Sequence, residues 1–176
     1  DRTKVAFTGS ENAGPKIYEN AAGQFKNVSL ELGGKAPNIV CEDADLDAAA
    51  TGVISGIFAA TGQTCIAGSR LLVQRSMHDE FVQRVVALAE QAKIGDPMLP
   101  ETHVGPVTTR PQFEKVLDYI DIAQREGAKC VLGGAAYTGE GASGGQFVQP
   151  TIFTNVRNEM RIAQEEVFGP VLSVIP

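Results

Sequence analysis

Tryptophan is absent from the 176 residues, histidine occurs twice and cysteine three times. His78 and His103 have no cysteine or carboxylate pattern around them, so no metal site or catalytic triad is expected, and both read as surface residues. Cysteines 41, 65 and 130 are an odd set without a Cys-x-x-Cys pair, which argues against a disulfide framework and structural zinc. Free thiols in a reducing compartment, the cytoplasm, are the expectation. Basic charge is also short, 15 Lys and Arg against 21 Asp and Glu for a net charge of -6. That balance speaks against nucleic acid or anionic lipid as a partner. Long apolar runs are missing: residues 48–60 are interrupted by Thr51, Gly52, Ser55 and Gly56 and are too short to cross a bilayer. No signal for secretion opens the chain, so the sequon at Asn27-Val28-Ser29 is read as incidental.

With 43% hydrophobic and 20% charged residues, the composition is that of an ordinary globular protein, long enough for one domain or parts of two. Apolar positions 46, 49, 50, 53, 54, 57 and 58 recur at helical spacing, with Asp45 as N-cap and Gly62 as stop. A second helix is expected from Ser76, whose spacing to Asp79 is that of a capping box, burying Phe81, Val82, Val85, Leu88 and Ala89. A third runs from about Pro111, buries Phe113, Val116, Leu117 and Ile120, and stops at Gly127. Strand-like runs at 4–7, 28–32, 39–41, 70–73, 129–132, 147–153 and 171–175 alternate with these helices. The alternation predicts an α/β fold with a largely parallel sheet flanked by helices, and functional residues in loops at strand ends. A strand-like run stands at each end, so both ends read as internal to a longer protein.

Gly139-Glu140-Gly141-Ala142-Ser143-Gly144 fits the spacing of a dinucleotide fingerprint, but that motif needs a strand before it and a helix after it. Here a strand follows, and a surface loop or hairpin is the better reading. Gly34-Lys35 lacks the leading glycine and the Ser or Thr of a phosphate loop. Cys65 lies among small residues, Gly62-Gln63-Thr64-Cys65-Ile66-Ala67-Gly68, between the first helix and the strand at 70–73. Free cysteine is often only a small buried hydrophobe, as expected for Cys41 and Cys130 inside or beside apolar runs. Small neighbours around Cys65 would instead let a substrate and backbone amides approach the sulfur. A thiol after a helix faces the dipole's negative end, which disfavours a thiolate, so activation has to come from loop amides, a general base or a bound cation. Glu31 alternates with Leu30 and Leu32 at a strand end before Gly33-Gly34: a solvent-facing carboxylate, or one beside a close approach of ligand or chain.

Four segments taken together, Phe7-Thr8-Gly9-Ser10, Leu30-Glu31-Leu32-Gly33-Gly34-Lys35, Gly62-Gln63-Thr64-Cys65 and Glu166-Val167-Phe168-Gly169-Pro170, resemble the aldehyde dehydrogenase superfamily in its order. Glu31 and Cys65 also stand at the family's separation. The resemblance implies that Cys65 is the nucleophile toward an aldehyde and Glu31 the general base for hydrolysis of the thioester. It implies NAD or NADP as cofactor, with Gly9 and Ser10 at the pyrophosphate before a helix starting near Glu11. Leu32 and Gly33 would lie beside the nicotinamide ring, and Glu166 and Phe168 would meet its ribose and ring. Glu11 and Pro15 depart from the family's usual residues.

By the same resemblance residues 1–32 are the end of a Rossmann-like cofactor-binding domain and 33–176 most of the catalytic domain. The parent enzyme is expected to oxidise an aldehyde to a carboxylate as a homo-dimer or homo-tetramer, and this stretch alone to have weak or no activity. The alternatives are a coenzyme A-acylating relative and a non-catalytic relative that keeps the fold.

Overall fold

The computed structural model describes residues 3–142 and 144–176; Ser143, in the glycine-rich 139–144 segment, lies outside them. The chain divides into two compact units, Asp1–Gly34 and Lys35–Pro176.

The first unit is a single βαβ turn. Strands β1 (Val5–Thr8) and β2 (Val28–Glu31) pair in parallel, Val5 opposite Val28 through Thr8 opposite Glu31, and helix α1 (Gly14–Ala22) connects them. Parallel strands need such a crossover because their ends point the same way. Register therefore brings the carboxyl ends of β1 and β2, where Gly9 and Leu32 follow, to one edge. The amide of Gly9 donates to the carbonyl of Glu31 at 3.0 Å, tying the two ends together. Gly14 starts α1 against Leu32: a Cβ there would lie 2.8 Å from the leucine Cδ1, and the leucine side chain would have to turn aside.

In the second unit, five strands stand in the order β3 (Pro37–Val40), β4 (Arg70–Val73), β7 (Val171–Ile175), β6 (Thr151–Thr154), β5 (Lys129–Leu132). All neighbours are parallel except β5 with β6. The alternating pleat divides the apolar residues between two faces. Ile152, Leu172 and Val174 join a core with α2 (Leu46–Phe58) and α3 (His78–Ala89), while Phe153 and Val171 join another with α4 (Arg110–Arg125) and the short α5 (Arg161–Gln164). Covered on both sides, β6 and β7 are buried nearly throughout, Thr151, Thr154 and Ser173 included.

The three long helices occupy the expected stretches, and their ends carry the differences. Asp45 does cap α2, its Oδ1 accepting from the amides of Asp47 and Ala48 at 3.0 and 3.1 Å. The α-helix nevertheless stops at Phe58, before Gly62, and a 3-10 stretch at Ala59–Gly62 follows. No capping box forms at Ser76: Met77 takes the N-cap position without a side-chain bond, and Asp79 Oδ1 lies 2.8 Å from His78 Nδ1 instead. The His78 side chain is only 16% exposed, contrary to the expected surface position, whereas His103 is exposed. The run 147–153 is broken by Pro150, which has no amide hydrogen for a ladder, so β6 begins at Thr151. An isolated antiparallel bridge, Ala136 to Val148, encloses the glycine-rich loop, with no helix after it. Cys41, expected in the core, is exposed because β3 is the sheet edge and ends at Val40. Cys130 is half-buried, and burial pushes its thiol up.

The Lys35 side chain runs into this unit. Its Nζ is enclosed without a hydrogen-bond partner, and its pKa is lowered to about 8 by loss of water around the ammonium, reinforced by Arg70 and opposed by Glu166. No helix among the described residues is long and apolar enough to cross a membrane.

Two measurements test these assignments. Asp45→Ala should cost about 1 kcal/mol in denaturant unfolding, the usual worth of an N-cap. The second concerns Lys35, which is protonated in the unfolded chain up to its ordinary 10.5 but sheds its proton near 8 when folded. The unfolded state thus holds the extra proton between those values, and stability from this group rises with pH across that window. Lys35→Met should therefore be stabilising relative to the parent below pH 8, with the advantage shrinking toward pH 10.5, as paired denaturation curves at pH 7 and 10 would report.

Candidate active site

Cys65 sits on a turn, exposed, between the end of the 3-10 stretch and β4. The chain enters that turn through three consecutive left-handed residues, Ala60 (φ 49°), Thr61 (φ 58°) and Gly62 (φ 70°). Two of these carry a Cβ, and each left-handed non-glycine residue costs about 1–2 kcal/mol. Surrounding contacts hold the strain. Thr61 is buried, and its Oγ1 donates to the Gly105 carbonyl at 3.1 Å. Gly62 lies against the backbone of Gly169, where a Cβ would come within 2.0 Å of the carbonyl oxygen. The left-handed run follows the end of α2 at Phe58, so Cys65 does not sit on that helix's last turn.

Side-chain amides tie the loop down further. Gln63 donates from Nε2 to the carbonyls of Ala60 and Pro106 at 3.3 and 3.4 Å, and its Oε1 accepts from the Thr108 amide and hydroxyl at 2.9 and 2.8 Å. On the far side of Cys65, Asn38 of β3 donates from Nδ2 to the Gly68 carbonyl at 3.0 Å, and the Gly68 amide donates to Gly56 of α2 at 2.9 Å. Between these anchors the Ala67 amide closes on the Thr64 carbonyl at 3.1 Å, which presents Cys65 and Ile66 outward. Ile66 is 82% exposed, and Ala67 and Gly68 are buried beneath it. A thiol held this way is open to an electrophile on one side and backed by small residues on the other.

The Glu166–Pro170 segment is brought to the same loop through the Gly62 and Gly169 contact. Phe168 is left-handed (φ 58°), and Gln112 of α4 holds it by donating from Nε2 to the carbonyls of Val167 and Phe168 at 2.8 and 2.9 Å. Glu166 is half-buried, with Lys35 in its field. Just before it, Glu165 is held down to about 2 by Arg161, a turn earlier, and by the Tyr119 hydroxyl, which donates at 2.5 Å. Gln63 lies inside a quoted motif but drew no role from sequence, and Thr108 and Gln112 carried no signal at all. All three act through long-range bonds that spacing does not encode.

In the first unit, Gly9, Ser10, Glu31, Leu32 and Gly33 gather at the carboxyl edge of β1 and β2. The Glu31 side chain is exposed there. Helix α1 begins at Gly14 rather than near Glu11, because Glu11–Ala13 first make a turn in which the Ser10 carbonyl accepts from Ala13 and Gly14 at 3.0 and 3.2 Å. Pro15 occupies the first turn of α1, which contains no acidic residue. Phosphate would therefore meet the exposed Ser10 and no opposing carboxylate within α1's first turn. The exposed Ser10 hydroxyl is on offer to an anion there, beside the exposed Glu11, while the Ala13 and Gly14 amides are taken up by the Ser10 carbonyl. Among the described residues, no three His, Cys, Asp or Glu side chains are grouped to hold a metal ion.

Comparison with known proteins follows the same lines. A model of the aldehyde dehydrogenase family matches residues 1–176. Betaine aldehyde dehydrogenase of Mesorhizobium japonicum is 46% identical, over 98% of this chain and 35% of its own length. Aldehyde dehydrogenase 1A1 of Gallus gallus is 48% identical, over 99% of this chain and 34% of its own. The crystal structure of betaine aldehyde dehydrogenase from Staphylococcus aureus in complex with NAD+ matches at a TM-score of 0.95 and 42% identity, covering 97% of this chain and 34% of that one. The NAD+ complex of the Bacillus cereus aldehyde dehydrogenase matches at 0.93 and 45%, covering 98% and 34%. The chain spans about a third of the length of the relatives it matches. Its sequence over its full length and its fold make it a member of the aldehyde dehydrogenase family.

Proposed function

We infer that the protein oxidises an aldehyde to a carboxylate with NAD or NADP, and that Cys65 is its nucleophile. One observation carries this reading: the thiol is exposed on a turn whose two ends are pinned, with only small residues behind it. Pinning converts a reactive thiol into a positioned one, which is where much of the rate advantage of an enzyme arises. The first unit then acts as the end of the cofactor-binding domain and the second as most of the catalytic domain.

In the proposed sequence the Cys65 sulfur attacks the carbonyl carbon and forms a thiohemiacetal. The oxidised nicotinamide supplies the hydride acceptor. Loss of hydride from the former aldehyde carbon, with the hydroxyl proton passing to water, leaves a thioester on Cys65. Glu31 then takes a proton from water as the water oxygen attacks the acyl carbon; the carbon–sulfur bond breaks, and carboxylate leaves with the thiol restored. Loop amides around Cys65 stabilise the oxyanion that forms at each addition. Ser10 would hold phosphate oxygens of the cofactor, Leu32 and Gly33 would lie beside the nicotinamide ring, and Glu166 and Phe168 would meet the ribose and ring. The NAD+ complexes of the Staphylococcus aureus and Bacillus cereus relatives favour NAD.

The full-length protein tests this directly. Cys65→Ser should lose aldehyde-dependent NADH formation by at least about a thousandfold, the scale seen when a catalytic nucleophile is removed. Glu31→Gln should keep a first-turnover burst while steady turnover falls by roughly a hundredfold or more, the scale of lost general-base catalysis. Iodoacetamide should label Cys65 ahead of Cys41, which is also exposed, and faster still once NAD is bound. Turnover that needs coenzyme A and yields an acyl thioester would replace hydrolysis with acyl transfer, and labelling of Cys41 and Cys65 at equal rates would argue for a non-catalytic relative.

A further inference from the structure

We propose that Asn38 is a positioning residue for the reaction: through Gly68 and Gly56 it sets where the Cys65 sulfur stands. The inference rests on Cys65 being the nucleophile and goes beyond it.

Asn38 is the second residue of β3, paired in register with Leu71 of β4, and its side chain is half-buried. An asparagine in a strand has no ladder function for its side chain; here the amide leaves the sheet for two other elements. It donates to the Gly68 carbonyl at 3.0 Å. On the α2 side it lies next to Gly56, where a Cβ would be 3.5 Å from Nδ2 and 3.6 Å from Oδ1. On the loop side a Cβ at Gly68 would stand 2.3 Å from Nδ2, 2.7 Å from Cγ and 2.8 Å from Oδ1. Gly68 is not left-handed, so space for the Asn38 amide, and not backbone conformation, demands glycine there.

The Gly68 amide simultaneously donates to the Gly56 carbonyl at 2.9 Å. Strand and helix therefore converge on the loop at Gly68, three residues past Cys65, one through the Asn38 side chain and the other through the Gly56 carbonyl. At the other end the loop is fixed through Gly62 and Gln63. A turn closed at both ends transmits a shift at either anchor to the residue between them. Loss of the Asn38 contact frees the downstream end alone, and a displacement of about 1 Å at a reacting atom is enough to cost up to roughly a hundredfold in rate.

The test uses the full-length enzyme. Asn38→Asp keeps the shape but points a carboxylate oxygen at the Gly68 carbonyl, so donor becomes acceptor and the bond is lost. The expected result is a kcat per titrated active site lowered at least about tenfold with the KM for NAD within about threefold, the split that marks lost transition-state geometry. Iodoacetamide labelling should also change for Cys65 while Cys41, just beyond β3, keeps its rate. A merely structural role would alter the fraction of active enzyme or move both cysteines together. Gly68→Ala should reproduce the Asn38→Asp defect by expelling the amide. Adding Asn38→Ala to it should restore part of the loss, because the methyl then occupies vacated space and the two effects are not additive. This pair carries the test should Asn38→Asp fail to fold.

The proposal is overturned if Asn38→Asp retains kcat within twofold and leaves the Cys65 to Cys41 labelling ratio unchanged, or if the Gly68 and Asn38 effects simply add. Activity persisting in Cys65→Ala would instead overturn the assignment of the nucleophile, a result distinguishable from either.

Discussion

Two glycine backbones in contact hold the candidate site together. Gly62, left-handed at the entrance to the cysteine turn, meets the carbonyl of Gly169, and Gly169 in turn lies against Val116 of α4, where a Cβ would come within 2.5 Å of the valine methyl. No side chain fits at either point. The pair lets a loop after α2 touch the segment that feeds β7 and, behind it, the core under α4. Remove that approach and the turn carrying Cys65 keeps only its side-chain ties at the upstream end. With it go the strained residues Ala60 and Thr61, which persist because their surroundings hold them.

Around this contact the remaining ties are amide side chains. Gln63, Gln112 and Asn38 each bond backbone carbonyls, and Gln63 Oε1 also takes an amide and a hydroxyl. Such bonds serve loops well because a loop has unpaired backbone groups to offer, and burying them unpaired would be costly. The result is an exposed thiol on a short turn whose neighbours are backbone held by backbone.

Much of the fold was legible in the linear pattern because the pattern follows local geometry. The apolar stripe from Leu46, the cap at Asp45 and the runs at 70–73, 129–132 and 171–175 correspond directly to elements of the structure. Where local signals competed with long-range contacts, the reading failed. Ser76 and Asp79 have capping-box spacing, but Asp79 sits against His78 instead. Cys41 follows an apolar run, yet that run is an edge strand. Glu11 precedes a helix that starts three residues later, after a turn closed on Ser10.

The sequence by itself determined the family, the helical and strand segments and the identities of Cys65 and Glu31 as candidates, since motifs and periodicity are properties of neighbouring residues. Only the tertiary structure decided that Cys65 is exposed on a turn anchored at both ends, that Gly68 makes room for Asn38, and that Gln112 secures the backbone of Phe168. The reason is the range of the interactions. Gln112 lies 56 residues from Phe168 and Asn38 lies 30 from Gly68, so each bond exists only after the sheet has brought its strands into order.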